Sequence, residues 1–119
     1  MRILIVEDDL AVSEVLEEFC AGQGHEYRTA ASVPAAAIAW RDWTPDCILL
    51  DLKLPGDPGT VLVRHIRLMG DRTPIVVISG QVEPRWREEM ERFGVTAVVT
   101  KPFAIGQIVE VLQTLRPTE

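Results

Sequence analysis

Four short apolar runs, each followed at once by a reactive polar residue, constrain this chain more than any other feature. The runs are rich in Val and Ile and lack helical spacing, which is typical of fully buried strands in a parallel sheet. They are Ile3–Val6 before Glu7-Asp8-Asp9, Cys47–Leu50 before Asp51, Ile75–Ile78 before Ser79, and Ala97–Thr100 before Lys101. Parallel strands end at one edge of a sheet, where open α/β proteins bind ligands. The sequence therefore predicts that acids, a hydroxyl and a lysine converge on one site.

Stretches with helical spacing separate these runs, and residues 26–30 add a second, weaker strand. Four of the helices are predicted by apolar residues that recur every three or four positions and would pack on the sheet. These positions are Val12, Val15, Leu16 and Phe19; Leu62, Ile66 and Met69; Trp86, Met90 and Phe93; and Ile105, Ile108, Val109, Leu112 and Leu115. The remaining helix is rich in alanine and runs from a capping serine, Ser32, to Trp40.

A strand followed by a helix, repeated five times, predicts an α/β fold. Such alternation implies right-handed crossovers and a parallel sheet with helices on both faces. We expect a single domain over residues 1–119. It would be a doubly wound (βα)5 domain with a five-stranded parallel sheet, in the flavodoxin-like order 2-1-3-4-5 that is common at this size.

The composition favours a folded domain and excludes several functions. A hydrophobic fraction of 47% argues against disorder, and a net charge of −6 disfavours direct contact with nucleic acid. No stretch suits a membrane span or a signal peptide, so we expect no membrane contact and a cytoplasmic location. Cys20 and Cys47 lack the spacing of a disulfide framework or a metal site, and we interpret both as small core residues.

Asp51 lies at the centre of the predicted site, before a loop rich in proline and glycine. Glu7 and Asp8 end the first strand, which neighbours the third in doubly wound sheets. Clustered carboxylates repel one another, and a hard divalent cation removes that cost. Mg²⁺ suits the site because it takes oxygen ligands and needs only one or two protein carboxylates. Lys101 offers a charge to a phosphoryl oxygen or to Asp51, and Ser79 offers a hydroxyl donor.

Taken in order, these motifs resemble the response-regulator receiver domains of two-component signalling, of the chemotaxis-regulator type. The resemblance extends from about Ile3 to Leu115. The motifs that carry it are Val6-Glu7-Asp8, Asp51 with its Leu54-Pro55-Gly56 loop, Ser79-Gly80 and Lys101-Pro102-Phe103. It implies a phosphorylated signalling switch that acts through protein partners and is not an enzyme with its own substrate.

The resemblance also implies a role for each site residue. Asp51 would accept a phosphoryl group from a sensor histidine kinase or a histidine phosphotransfer protein. Asp8 would bind Mg²⁺ directly, Glu7 mainly through water, and the backbone carbonyl of Lys53 would complete the protein ligands together with Asp51.

Two further pairs of residues are assigned by the same resemblance. Lys101 and Ser79 would bind the phosphoryl oxygens. Lys53 and Gln81, each two residues beyond a site residue, would tune hydrolysis of the acyl phosphate.

One position departs from the family pattern and bears on the output. Receiver domains usually carry an aromatic residue three positions before the lysine, and here that position is Val98. The resemblance implies that a downstream effector binds the fourth helix, the fifth strand and the fifth helix. A homodimer is compatible with it. The departure at Val98 puts the usual coupling to that surface in question.

Three other interpretations stay open or are disfavoured. A receiver-like module that ignores phosphorylation is compatible with Val98. A phosphohydrolase that works through an aspartyl phosphate often needs a second acid two residues after the nucleophile, where this chain has Lys53. Nucleotide or flavin binding is disfavoured because no glycine-rich loop follows the first strand.

Asp9 is expected simply to cap the first helix.

Overall fold

The computed structural model describes residues 1–80 and 82–115, in which strands and helices alternate along the chain. The strands are β1 (Arg2–Val6), β2 (Glu26–Ala30), β3 (Cys47–Leu50), β4 (Ile75–Ser79) and β5 (Ala97–Thr100). The helices are α1 (Leu10–Gly22), α2 (Val33–Trp43), α3 (Gly59–Leu68), α4 (Pro84–Arg92) and α5 (Ile105–Leu115). The five strands are parallel and lie in the order β2-β1-β3-β4-β5, which confirms the predicted fold.

Alternate residues of each central strand pack against opposite layers of helices. Leu4, Ile48 and Val77 join the cluster formed with α2, α3 and α4. Ile5 and Val76 join the cluster formed with α1 and α5. A continuous apolar run is the sequence signature of such a strand because both of its faces are covered.

The fourth apolar run was predicted to be fully buried, and this prediction is wrong. Among the described strands, β5 pairs only with β4 and lies at an edge of the sheet. Ala97 and Val98 are half-buried and Thr100 is exposed, whereas Val99 is buried. An edge strand is covered less completely because it has a neighbouring strand on one side only.

Several predicted helix positions need correction. Val15 is 45% exposed and Ile105 is 37% exposed, so neither packs on the sheet as predicted. Met69 follows the end of α3 and is 66% exposed. α2 continues three residues beyond Trp40, to Trp43, before Thr44 adopts a left-handed conformation.

The predicted helix caps are confirmed. The Asp9 carboxylate accepts hydrogen bonds from the backbone N–H groups of Ala11 and Val12 at the start of α1. The Ser32 hydroxyl accepts one from Ala35 N at the start of α2. Side-chain acceptors at these positions satisfy N–H groups that have no partner within the helix. Among the described helices, none is long and apolar enough to span a bilayer.

Candidate functional site

The carboxyl ends of β1 and β3 bring three carboxylates together. Val6 and Leu50 are register partners, so the residues that follow them emerge side by side. Asp51 N donates to Val6 O at 3.0 Å, which extends the hydrogen-bond ladder between β1 and β3 to Asp51. Single oxygens of Glu7, Asp8 and Asp51 lie within 4.8 Å of one another. The predicted convergence of these acids is confirmed.

Lys101 completes this cluster from the end of β5. Its Nζ donates to Glu7 Oε1 at 2.5 Å and to Asp51 Oδ2 at 3.2 Å. Its backbone N–H donates to Ser79 O at 2.9 Å, and the Lys101–Pro102 peptide bond is cis. One lysine therefore bridges two acids, of which only Asp51 was considered as its partner from the sequence.

Burial makes the electrostatics of the cluster strong. Glu7 is 5% exposed and Asp51 is 6% exposed, whereas Asp8 is exposed. Burial, together with the neighbouring Asp51 carboxylate, raises the pKa of Glu7 to about 7, although the Lys101 ammonium opposes the shift. Burial also acts to lower the pKa of Lys101, but Glu7 and Asp51 outweigh it, and the net shift is upward. The ammonium is thus held in its charged form between the two acids.

Backbone groups fix the remaining carboxylate oxygens. Lys53 N donates to Asp51 Oδ1 at 3.2 Å, and Asp9 N donates to Glu7 Oε2 at 3.3 Å. The Lys53 residue itself is exposed. These contacts hold both carboxylates at the adjacent carboxyl ends of β1 and β3.

Ser79 lies at the same strand edge, as predicted. It is the last residue of β4, is completely buried and pairs in register with Thr100. Gln81 was predicted to tune hydrolysis of an acyl phosphate, and it lies outside the described residues.

The donor set fits Mg²⁺. Three carboxylates at one edge supply hard oxygen ligands, and the exposed Asp8 keeps one side of the cluster open to water. Mg²⁺ usually retains several waters and takes few protein carboxylates. A divalent charge would also offset the repulsion among the acids, which a single lysine offsets only in part.

An apolar groove beside Lys101 was not predicted from the sequence. It encloses about 540 Å³ between the start of α1 and the segment after β5. Its lining residues are Ala11, Val12, Val15, Lys101, Pro102, Phe103 and Ile105. Val15 and Ile105 are the apolar residues of the sequence that could have indicated the groove. Their helical spacing predicted instead that both pack on the sheet.

The sequence is similar to one family of known proteins. Residues 3–113 match the family described as response regulator receiver domain. The transcriptional regulatory protein PhoP of Escherichia coli K12 is 30% identical over 115 residues, which cover 97% of this chain and 52% of PhoP. The regulatory protein AtoC of the same organism is 30% identical over 112 residues, which cover 94% of this chain and 24% of AtoC. The chain thus spans about half the length of PhoP and a quarter of AtoC.

The fold is also similar to that of solved structures. The non-phosphorylated HemR receiver domain from Leptospira biflexa superposes with a TM-score of 0.88 at 26% identity, covering 99% of this chain and 98% of that one. The chemotaxis protein CheY4 of Vibrio cholerae superposes with a TM-score of 0.87 at 24% identity, covering 97% and 98%. At that identity, the likeness to CheY4 shows the fold alone.

Proposed function

The chain belongs to the family of response regulator receiver domains, and we propose that it accepts a phosphoryl group on Asp51. One observation carries the proposal: the buried Asp51 carboxylate is grouped with Glu7 and Asp8 and hydrogen-bonded by Lys101. The family is one of signalling proteins and not, in general, of enzymes. The state of Asp51 would therefore be passed on to another protein.

The phosphoryl donor would be a phosphohistidine of a sensor histidine kinase or a histidine phosphotransfer protein. An oxygen of Asp51 attacks the phosphorus atom, and a new O–P bond forms as the P–N bond breaks. The electron pair of that bond remains on the imidazole nitrogen, which takes up a proton from water. The product is an acyl phosphate on Asp51 and an unmodified histidine on the donor.

The residues around Asp51 would stabilise the new charge. Lys101 already contacts Asp51 Oδ2, so a small movement of its flexible side chain would bring Nζ to a phosphoryl oxygen. Ser79, at the end of the neighbouring strand, would donate its hydroxyl to a second phosphoryl oxygen. Movement of both groups towards the phosphoryl group would shift the loops that follow β4 and β5.

Mg²⁺ would be held by Asp8, Asp51 and the carbonyl of Lys53, with Glu7 acting mainly through water. When bound, the ion would supply positive charge that screens the phosphoryl oxygens from the acids. Lys53 and Gln81 would influence how fast water removes the phosphoryl group.

The apolar groove would receive the donor protein. A phosphohistidine must come within bonding distance of Asp51, so the donor has to cover the surface around the cluster. That surface includes the groove, which borders Lys101 and is lined by apolar side chains of α1 and of the segment after β5. Leu10 and Val15, which are 78% and 45% exposed, extend the apolar surface along α1. A helix with an apolar face is the partner that such a surface fits.

A downstream partner would bind the surface formed by α4, β5 and α5. PhoP and AtoC, which are named as regulators, are longer than this chain, so an effector protein or an effector domain would read this surface. A second copy of the chain is a further partner for the same surface.

Val98 favours a second candidate function, a receiver-like module that works without phosphorylation. Val98 lies three residues before Lys101, is half-buried and packs with the cluster of α2, α3 and α4. A valine has no ring that could move between the core and the surface. If phosphorylation does not reach the output surface, the domain would act by binding alone.

Intact-mass measurement with a small phosphodonor and Mg²⁺ separates these functions. We expect a single Mg²⁺-dependent phosphoryl adduct on the wild type and none on Asp51→Asn. Asp57→Asn is the matched control, because Asp57 is an exposed acid in the loop beyond Asp51. An adduct that persists in Asp51→Asn would contradict the assignment, and no adduct in a wild type that still binds Mg²⁺ would favour the second function.

A further inference from the structure

We infer that Gly59 is a positioning residue for the phosphoryl-acceptor site. Gly59 is the first residue of α3, and the absence of a side chain there lets the helix approach the backbone that carries Asp51. This inference rests on the proposed function and adds to it a residue that touches neither the metal nor the phosphoryl group.

The space around Gly59 leaves no room for a methyl group. A Cβ atom built on Gly59 would lie 2.5 Å from Asp51 O, 3.0 Å from Leu52 Cα and 3.1 Å from Leu50 Cδ1. The two nearest atoms belong to the backbone, so a larger residue could fit only if the main chain at the end of β3 moved. In the described part of the chain, Gly59 alone among the glycines has any such neighbour within 4 Å.

A hydrogen bond from Gly59 also holds the segment that supplies two of the proposed metal ligands. Gly59 N donates to Leu52 O at 2.8 Å, and Lys53 N donates to Asp51 Oδ1 at 3.2 Å. Leu52 is completely buried and lies between Asp51 and Lys53, which carry the proposed carboxylate and carbonyl ligands. A displacement of Leu52 would therefore move both ligands at once.

Mg²⁺ would be sensitive to such a displacement. It demands nearly ideal octahedral geometry with oxygens at about 2.0–2.1 Å, so shifts of a few tenths of an ångström weaken binding. The backbone of Gly59 does not require glycine for its dihedral angles, because its φ lies outside the left-handed region. Gly59→Ala thus tests the close approach by itself.

Gly106→Ala is the matched control. Gly106 is also in the first turn of a helix, α5, and a Cβ there would meet nothing within 4 Å. The Mg²⁺ dissociation constant of each variant would be measured by calorimetry, and its folding by circular dichroism. We expect Gly59→Ala to weaken Mg²⁺ binding by about tenfold or more, as supporting residues around metal sites commonly do, and Gly106→Ala to leave it unchanged.

The outcomes separate this inference from the proposed function. A folded Gly59→Ala variant with the wild-type dissociation constant would overturn the role of Gly59. A wild type that binds no Mg²⁺ and gains no phosphoryl adduct would overturn the proposed function itself.

If Gly59→Ala does not fold, the wild type is used to test the role of Gly59. In an NMR titration with Mg²⁺, the amide resonance of Gly59 should shift with the same midpoint as that of Lys53, because its hydrogen bond joins the same segment. The Gly106 resonance should not shift. A Gly59 resonance that stays in place while that of Lys53 moves would overturn the inference.

Discussion

Replacing Lys101 with alanine should destabilise the metal-free protein, because it removes the cation that two buried acids share. Lys101 Nζ contacts Glu7 Oε1 at 2.5 Å and Asp51 Oδ2 at 3.2 Å. The side chains of Glu7 and Asp51 are 2% and 7% exposed, so water cannot replace the lost contacts well. The two carboxylates would then lie side by side without the ammonium that Lys101 supplies.

The expected loss lies below the range for fully buried ion pairs. Breaking such a pair typically costs about 3–5 kcal/mol, and a hydrogen bond to a charged group contributes about 1.5–3 kcal/mol. Two features reduce the loss here: the Lys101 side chain is 20% exposed, and Glu7 has a pKa of about 7 and can take up a proton. We expect the free energy of unfolding to fall by about 2 kcal/mol.

This loss converts to a measurable change in melting temperature. The unfolding entropy is about 2.1 cal/mol/K per residue, or about 250 cal/mol/K for 119 residues. A loss of about 2 kcal/mol would therefore lower Tm by about 8 °C. Added Mg²⁺ should narrow the gap between variant and wild type, because a bound divalent cation supplies charge to the same acids.

The assay is thermal and urea unfolding in a buffer with a chelator, and again with Mg²⁺. Lys53→Ala is the control, because Lys53 is exposed and its contact with Asp51 comes from the backbone. A surface substitution of this kind should change stability by less than about 0.5 kcal/mol. If Lys101→Ala and the wild type have the same Tm in metal-free buffer, the claim that Lys101 neutralises the cluster is refuted.

Three other predictions concern the scaffold around the site. Arg67→Met should lower the free energy of unfolding by about 2 kcal/mol, because Arg67 donates to backbone carbonyls in the loops before β4 and β5; Arg72→Met, at an exposed neighbour, should change it little in the same urea titration. Asp9→Ala should cost about 1 kcal/mol by removing the cap of α1, and an unchanged unfolding midpoint would contradict that role. Burial raises the pKa of Cys20 to about 11 and of Cys47 to about 12, so alkylation at neutral pH should occur only in unfolded protein, and labelling of native protein would contradict their burial.

The strand ends could be predicted from the sequence because the pattern that defines them is strong. Apolar runs buried on both faces identify parallel strands, and parallel strands bring their carboxyl ends to one edge. The positions of Asp51 and Lys101 follow from this rule alone. At β5 the rule predicts the position of the strand end correctly but not the burial of the strand. A run of apolar residues does not show which strand lies at an edge.

Helix faces were harder to predict from spacing. Val15 and Ile105 have the spacing of residues that face a sheet, yet they border an open groove. Apolar periodicity is the same whether a residue meets the core or a surface that a partner would cover. Met69 shows a second failure, because the spacing continues one residue past the end of α3.

Two features of the site depend on tertiary packing and could not be predicted from the sequence. Lys101 bonds to Glu7 as well as to Asp51, which depends on the path of its side chain between the strand ends. The approach of Gly59 to Asp51 depends on how α3 packs beside β3, which no residue pattern in the loop between them specifies.

Chemical mapping of the phosphorylated residue tests the central claim most directly. Borohydride reduces an aspartyl phosphate to homoserine, which peptide mass spectrometry can locate in the sequence. After treatment with a small phosphodonor and Mg²⁺, we predict homoserine at position 51 and at no other acid. Homoserine at Asp8 or Asp57 with Asp51 unmodified would contradict the account.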